Sequence, residues 1–466
     1  MKKLLSIFNN RYLFITLLLL NIAVSVKIFL HFRSGLGGDF TTYWGLSEGL
    51  HHGRYSFWWF YPQYLPDTFR NPGYAAFIFL LTSICNKVLF VQALQLLLYF
   101  LTISLALKIL NKFDSKGFSI KNLFLLILLP NLQIAASTPE IMPDSLSAFF
   151  VMLLVYADEK MEGDKWAKYI IMGLLCGIIF QLRPVFLLFP FVKIIIDFLF
   201  QRRTFAFLKY SVLALIFILT TLPYGIWNYK NNGVFKITSI EGGGGVLQNA
   251  YWNFKLPNYI ETHYWYGNKV AEEMIPFSKK QDIEKNTQAY DKEWYMINSA
   301  CARYETRYDT LLEAQMLRDD GLIVHNPIYS LKRDELLRDI TFKHFMAEPL
   351  YFIETRIYTA FRIWVPGIQF SEFKSKSMGG KIALVYPFIV SIFTFFATLI
   401  FVSFCFWRRK INVKDCVNLI LPVIYVGLIY VPFGIQSRYS IPGRMLLFML
   451  LAISIVKAFE NKKEIN

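Results

Sequence analysis

KIALVYPFIVSIFTFFATLIFVSFCFWRRK, residues 381–410, decides the class of fold. No charged residue interrupts it from Ile382 to Trp407, and Arg408-Arg409-Lys410 closes it. A helix needs about 20 apolar residues to cross a hydrocarbon core of about 30 Å. In lipid every backbone N–H and C=O must be paired within its own segment, so the run reads as a transmembrane helix. Comparable apolar blocks occupy 12–30, 88–109, 120–137, 143–157, 167–182, 184–200, 205–224, 412–433 and 442–457. The expected fold is an all-α polytopic membrane protein with about ten transmembrane helices. The chain is 55% hydrophobic, and those residues come in blocks. A transmembrane β-barrel would instead show alternating segments of about ten residues.

Basic residues set the expected orientation. The net charge is +16, and the lysines and arginines sit largely at the ends of apolar blocks. That placement is a topology signal, so no nucleic-acid partner is expected. The start MKKLLSIFNNR is basic. The block after it reads either as a signal peptide cleaved near Ala23-Val24-Ser25 or as an uncleaved anchor, and its continuation to Leu30 favours the anchor. Alternating sides from an internal N-terminus places Lys108–Lys121, Asp158–Lys168, Gln201–Lys209, Trp407–Lys414 and Lys457–Asn466 in the cytoplasm. The expected location is the inner (plasma) membrane, multi-pass, with membrane lipid as a partner.

Three regions follow from this layout. Residues 1–226 form an N-terminal transmembrane module whose first outer loop is 31–87. Residues 227–378 form an outer hydrophilic domain, mainly helical over 269–350. Residues 379–466 hold the last transmembrane helices. Within the first loop, 39–52 reads as an amphipathic interfacial helix and Tyr74–Ile84 as interfacial or re-entrant. Trp58-Trp59-Phe60-Tyr61 reads as an interfacial aromatic belt or as a patch on which a substrate stacks. Gly242-Gly243-Gly244-Gly245 reads as a flexible loop or tight turn. The five cysteines contain no CxxC and the six histidines do not cluster, so neither a disulfide framework nor a zinc site is expected.

Four polar clusters fall on the outer side: Gly37–Trp44, Asp67–Tyr74, Ser137–Asp144 and Gln436–Tyr439. Arg183 joins them at the outer turn Gln181-Leu182-Arg183-Pro184. Ionisable residues at membrane depth are costly, so each is a functional candidate. Asp39 is the first acid after the first span. It reads either as a general base or as the N-cap of the interfacial helix, a position Asp favours. Asp67 is the rival acid, in a setting that suits a turn. Arg70, Arg183 and Arg438 are phosphate-binding candidates, because the guanidinium fork matches phosphate oxygens. For Arg70 and Arg438 the other reading is snorkelling to headgroups. Glu140 and Asp144 read as ligands of a polar substrate or as caps of the helix that follows.

An acid after the first span, the spacing Asp39-x-x-x-Tyr43, an amphipathic helix, and Arg70 before Pro72-Gly73-Tyr74 together resemble the GT-C superfamily of membrane glycosyltransferases. The branch resembled holds protein O-mannosyltransferases and lipid A aminoarabinose transferases. Arg183-Pro184, Pro223-Tyr224-Gly225-Ile226-Trp227-Asn228 and Arg438-Tyr439 with Pro442 resemble it too. That branch often shows two neighbouring acids, where this chain has only Asp39 between Gly38 and Phe40. The resemblance implies transfer of a sugar from a polyprenyl-phosphate donor to a glycan, lipid or protein acceptor on the outer, periplasmic face. It implies Asp39 as the catalytic residue, with Arg70, Arg183, Arg438, Tyr43, Tyr74, Glu140 and Asp144 binding substrate. No cofactor is called for, since the lipid-linked sugar is a substrate, and metal dependence stays open. Two other functions fit the layout: an O-antigen polymerase or ligase with a diphosphate-linked donor, and a lipid-linked sugar flippase. The outsized segment 227–378 sets the chain apart from the paired repeats common in transporters.

Overall fold

The computed structural model describes residues 7–460 apart from 61–63, 115–116, 162–164, 201–205, 242, 253–254, 257–282, 305–326, 367–372, 374 and 434–435. Much of the expected helical domain over 269–350, Tyr61 of the aromatic run, and parts of the loops 158–168 and 201–209 and of the tail lie outside the described residues. Among the described residues every regular element is helical.

The first half of the chain builds helices α1 (Arg11–Phe32), α2 (Phe40–His51), α3 (Pro72–Thr82), α4 (Val88–Leu110), α5 (Ser119–Leu128), α6 (Gln133–Ala136), α7 (Pro143–Lys160) and α8 (Trp166–Leu182). A 3-10 turn, Pro184–Leu188, then leads into α9 (Phe189–Phe200) and α10 (Phe207–Asn232). Segment 227–378 supplies α11 (Gly243–Trp252), α12 (Ile283–Cys301), α13 (Pro327–Ala347) and α14 (Pro349–Arg362). The chain ends with α15 (Met378–Trp407), α16 (Val413–Ile429), a 3-10 turn Ser437–Ser440 and α17 (Ile441–Phe459).

Among the described residues five helical segments are long and apolar enough to cross a membrane: α1, α4, α10, α15 and Ser437–Phe459, which takes in α17. In the last, 89% of the most apolar window is buried, against 22–33% in the other four, so α17 is the central post. It packs against α4, α5, α7, α15 and α16. The other four turn apolar side chains outward, as lipid-facing helices do.

Two expected elements differ. The block 120–137 is not one helix: α5 ends at Leu128 and only the single turn α6 follows. Pro130 explains the break, since its ring clashes with the preceding turn and it lacks an N–H. The glycine run is not a loop either, because Gly243, Gly244 and Gly245 open α11. Asp334 on α13 caps that helix, its Oδ1 accepting the Gly244 N–H at 2.7 Å. A side chain at Gly244 would collide with the backbone of Asp334, so the glycine lets α11 and α13 meet.

Buried polar groups fasten the helices. On α1, Asn21 donates to the carbonyl of Leu125 on α5 at 3.0 Å. Arg356 on α14 is buried and donates to the carbonyls of Val431 at 3.0 Å, Phe433 at 3.2 Å and Ala250 at 2.8 Å. It therefore ties the end of α11 to the chain leaving α16, which carries Arg438 eight residues on from Tyr430.

At the far end of α7 lies a buried ionic knot. Lys193 on α9 pairs with Asp158 of α7 at 2.7 Å and Asp197 at 2.6 Å, and donates to Asn418 of α16 at 2.9 Å. Tyr210 of α10 donates to Asp197 at 2.7 Å, and Lys168 of α8 pairs with Asp158 at 2.8 Å.

Candidate functional site

Asp39 stands immediately before α2, at the N-cap position, yet its side chain caps nothing. Its Oδ1 instead accepts from Arg70 at 2.6 Å and its Oδ2 from Arg438 at 3.1 Å. Burial alone would raise its carboxyl, but Arg70 and then Arg438 outweigh that and hold it below its ordinary value. A cap would have turned the carboxylate back onto the helix. The side chain has joined a cationic site.

Arg70 is aimed by its own loop. Asp67 Oδ2 accepts the N–H of Phe69 at 3.0 Å and of Arg70 at 2.7 Å, an Asx turn. The hydroxyls of Tyr55 and Tyr224 both donate to the Arg70 carbonyl, at 3.0 and 2.9 Å. Its guanidinium lies 4.4 Å from the Phe69 ring centre and 5.2 Å from that of Tyr43. Asp67 is the turn acid foreseen from its setting, and burial raises its carboxyl to about 6.

Arg183 terminates α8, where Pro184 prevents the helix from continuing. It pairs with Asp144, the second residue of α7, and donates to the Tyr430 hydroxyl at 3.2 Å. Arg183 is only 8% exposed and Asp144 1%, so the pair is withdrawn from water. Arg438 lies in the 3-10 turn before α17, where it pairs with Asp39 and reaches within 3.9 Å of Asp144 Oδ2. Tyr439 stacks on Tyr430 with ring centres 4.7 Å apart, and its ring lies 5.3 Å from the Arg183 guanidinium. Three arginines and two aspartates from five distant stretches thus interlock through shared carboxylates.

These residues line one cavity of about 570 Å³. Asp39, Tyr43, Arg70, Asp144, Arg183 and Arg438 all contribute to its wall. Pro184, Val185, Leu187, Leu188, Ile429 and Phe433 form an apolar stretch of the same wall.

Two expected substrate-binding residues lie elsewhere. Tyr74 is fully buried behind Tyr43, their rings edge to face at 4.9 Å. Its hydroxyl donates to Gln95 at 2.7 Å, so it supports the site without lining it. Glu140 is half-buried beside the cavity and outside its wall. Its backbone is pinned by α4, where Gln95 donates to the carbonyls of Thr138 at 2.9 Å and Glu140 at 2.8 Å. Burial, and then the Asp144 charge, raise its carboxyl to about 7, although Arg438 pulls the other way.

Sequence reasoning missed a whole side of the cavity. Lys236, Thr238, Ser239, Glu241, Asp334 and Arg338 belong to its wall, and all come from segment 227–378. No spacing marks them. Only the polar character of the stretch could have hinted at a role. Segment and first loop are laced together: Asn71 Oδ1 accepts the Ser239 N–H at 2.8 Å, and the Glu241 N–H donates to the Thr68 carbonyl at 2.9 Å. Among the described residues no three His, Cys, Asp or Glu side chains gather as metal ligands would.

No protein-family model, curated protein or solved structure matches this chain.

Proposed function

We propose that the chain is a GT-C-type membrane glycosyltransferase. It transfers a sugar from a polyprenyl-phosphate donor to an acceptor on the outer face of the inner membrane. The observation that carries this reading is the convergence of Arg70, Arg183 and Arg438 on one cavity that also holds an apolar wall. Guanidinium forks suit phosphate oxygens, and an apolar wall suits a polyprenyl tail. On this reading the shorter helices α5, α7, α8, α9 and α16 stand at the remaining expected spans, beside the five segments long enough to cross a membrane. The short ones, such as α5 and α9, complete the bundle on this reading.

In the transfer, the acceptor oxygen bonds to the anomeric carbon as the bond from that carbon to the phosphate oxygen breaks. The polyprenyl phosphate leaves with the bonding electrons, and the acceptor proton passes to Asp39. The arginines stabilise the charge that grows on the leaving phosphate. Asp39 begins with both oxygens engaged by Arg70 and Arg438. The donor phosphate competes for those same guanidiniums. As they turn to the phosphate, the carboxylate regains basicity, so donor binding prepares the base.

The test is mass spectrometry of the cell envelope from cells with and without the protein. One glycan should lose one sugar, and the lipid-linked donor should accumulate. An unchanged envelope under conditions where the protein is made would refute the reading.

A further inference from the structure

The wall contributed by segment 227–378 has its own electrostatic character. Its acids are engaged. Glu241 Oε1 accepts the hydroxyls of Thr68 and Ser330, both at 2.6 Å. Asp334 Oδ1 accepts the Gly244 N–H. Its two cations are less committed. Among the described residues, Lys236 donates to the Ile240 carbonyl at 2.8 Å and has no carboxylate within ion-pairing distance. Among the described residues Arg338 pairs only with its neighbour Asp339, at 3.5 Å, where both side chains are more than half exposed. An exposed pair of that kind contributes little. Burial holds the Lys236 ammonium below its ordinary value despite the nearby charges of Asp334, Glu335 and Glu241, with Arg338 adding to the depression. The two cations therefore keep spare hydrogen-bond donors, while neutral donors hold the acids.

We propose that this wall is the acceptor subsite and that Lys236 and Arg338 bind an anionic group carried by the acceptor glycan. The proposal rests on the reading that Arg70, Arg183 and Arg438 hold the donor phosphate, since that leaves the second cationic wall for the other substrate. Thr238 and Ser239 add hydroxyls to the same wall. Wall and donor site are joined through the Asn71–Ser239 and Thr68–Glu241 hydrogen bonds, which keep the two subsites in register.

The experiment uses the full chain in nanodiscs and reads melting temperature. Farnesyl phosphate is added to saturation as a donor-site probe, followed by glucose, glucose 6-phosphate or glucuronate. Ligands that bind the native state raise stability by mass action, by about 2.7 kcal/mol at 100 times Kd. The expected result is an additional upward shift with an anionic sugar and none with glucose. Glucose 6-phosphate acting alone would specify a phosphate-bearing acceptor, and glucuronate acting alone a carboxylate-bearing one. Lys236→Gln/Arg338→Gln should abolish that shift and keep the farnesyl phosphate shift. Lys236→Gln alone should weaken it, which covers the case of a double variant that does not fold. Equal behaviour of glucose and both anions, or an anion shift that survives the double variant, would overturn the proposal. Loss of the farnesyl phosphate shift in the wild type would strike the donor reading instead. An anion shift that still depends on Lys236 and Arg338 would then leave the anion site standing.

Discussion

Asp39 shows how one side chain can be read two ways until its partners are known. From sequence it is a base or a cap. In the structure it caps nothing and links Arg70 to Arg438. Asn caps about as well as Asp, so Asp39→Asn would be mild if capping were its task. The site predicts a fall in transfer rate of roughly 10²–10⁴, the range for a lost general base, in protein that still melts cooperatively. Asp67 works differently, through acceptance of two backbone N–H groups. Asn can make the same turn. Asp67→Asn should therefore keep turnover within a few-fold, whereas Asp67→Ala should lose it by releasing Arg70. Equal damage from both would show that the Asp67 charge itself is used. Glu140 gives a pH signature. Its carboxyl is held at about 7 against an ordinary value of 4.5, so the native chain binds its proton more tightly than the unfolded chain. Stability associated with this group is fully present below about pH 4.5 and is lost as pH rises through about 7. Glu140→Gln mimics the protonated form. It should raise the melting temperature at pH 8 and leave it unchanged at pH 4.5, and a gain that is equal at both would contradict the assignment.

Elements place these residues, and here the sequence was partly legible. Long apolar runs and terminal basic residues announced α1, α4, α10 and α15, because lipid demands continuous apolar helices. Pro130 lies inside an apolar run, whose continuous hydrophobicity hides the break of 120–137. In sequence the glycines at 243–245 read as a flexible loop or tight turn, because their helix forms through a long-range cap from Asp334, about 90 residues away. Gly173 and Gly177 on α8 carry a four-residue spacing that sequence could have revealed. Side chains there would collide with Leu213, Ile216 and Thr220 of α10, so the glycines permit close helix packing. The ionic knot around Lys193 was not legible, since its members lie on five helices. Breaking one partner of a buried pair costs about 3–5 kcal/mol. Lys193→Ala should lower the melting temperature sharply and leave turnover per folded molecule intact. Thermal melting beside an activity assay checks both, and a loss of turnover without destabilisation would assign the knot a functional role.

At the scale of the whole molecule, the candidate site exists only because distant stretches converge. The residue types and the common end of the bundle were readable from sequence for Asp39, Arg70, Asp144, Arg183 and Arg438. The wall that runs from Lys236 to Glu241 and from Gly243 to Leu247, with Asp334 and Arg338, was not, because it is assembled by packing and hydrogen bonds that no local spacing encodes. The central claim is that the three arginines hold the phosphate of a lipid-linked donor. Arg183 tests it most directly, since it is buried at the junction of α8, α7 and the end of α16. The measurement is turnover of a polyprenyl-phosphate sugar by purified Arg183→Ala and Arg183→Lys, with folding verified by thermal melting. Loss of a group that stabilises a developing anion costs roughly 10²–10³ in rate. The account predicts that loss for Arg183→Ala and a clearly smaller one for Arg183→Lys, which keeps the charge beside Asp144. A folded Arg183→Ala enzyme with near wild-type turnover would contradict it.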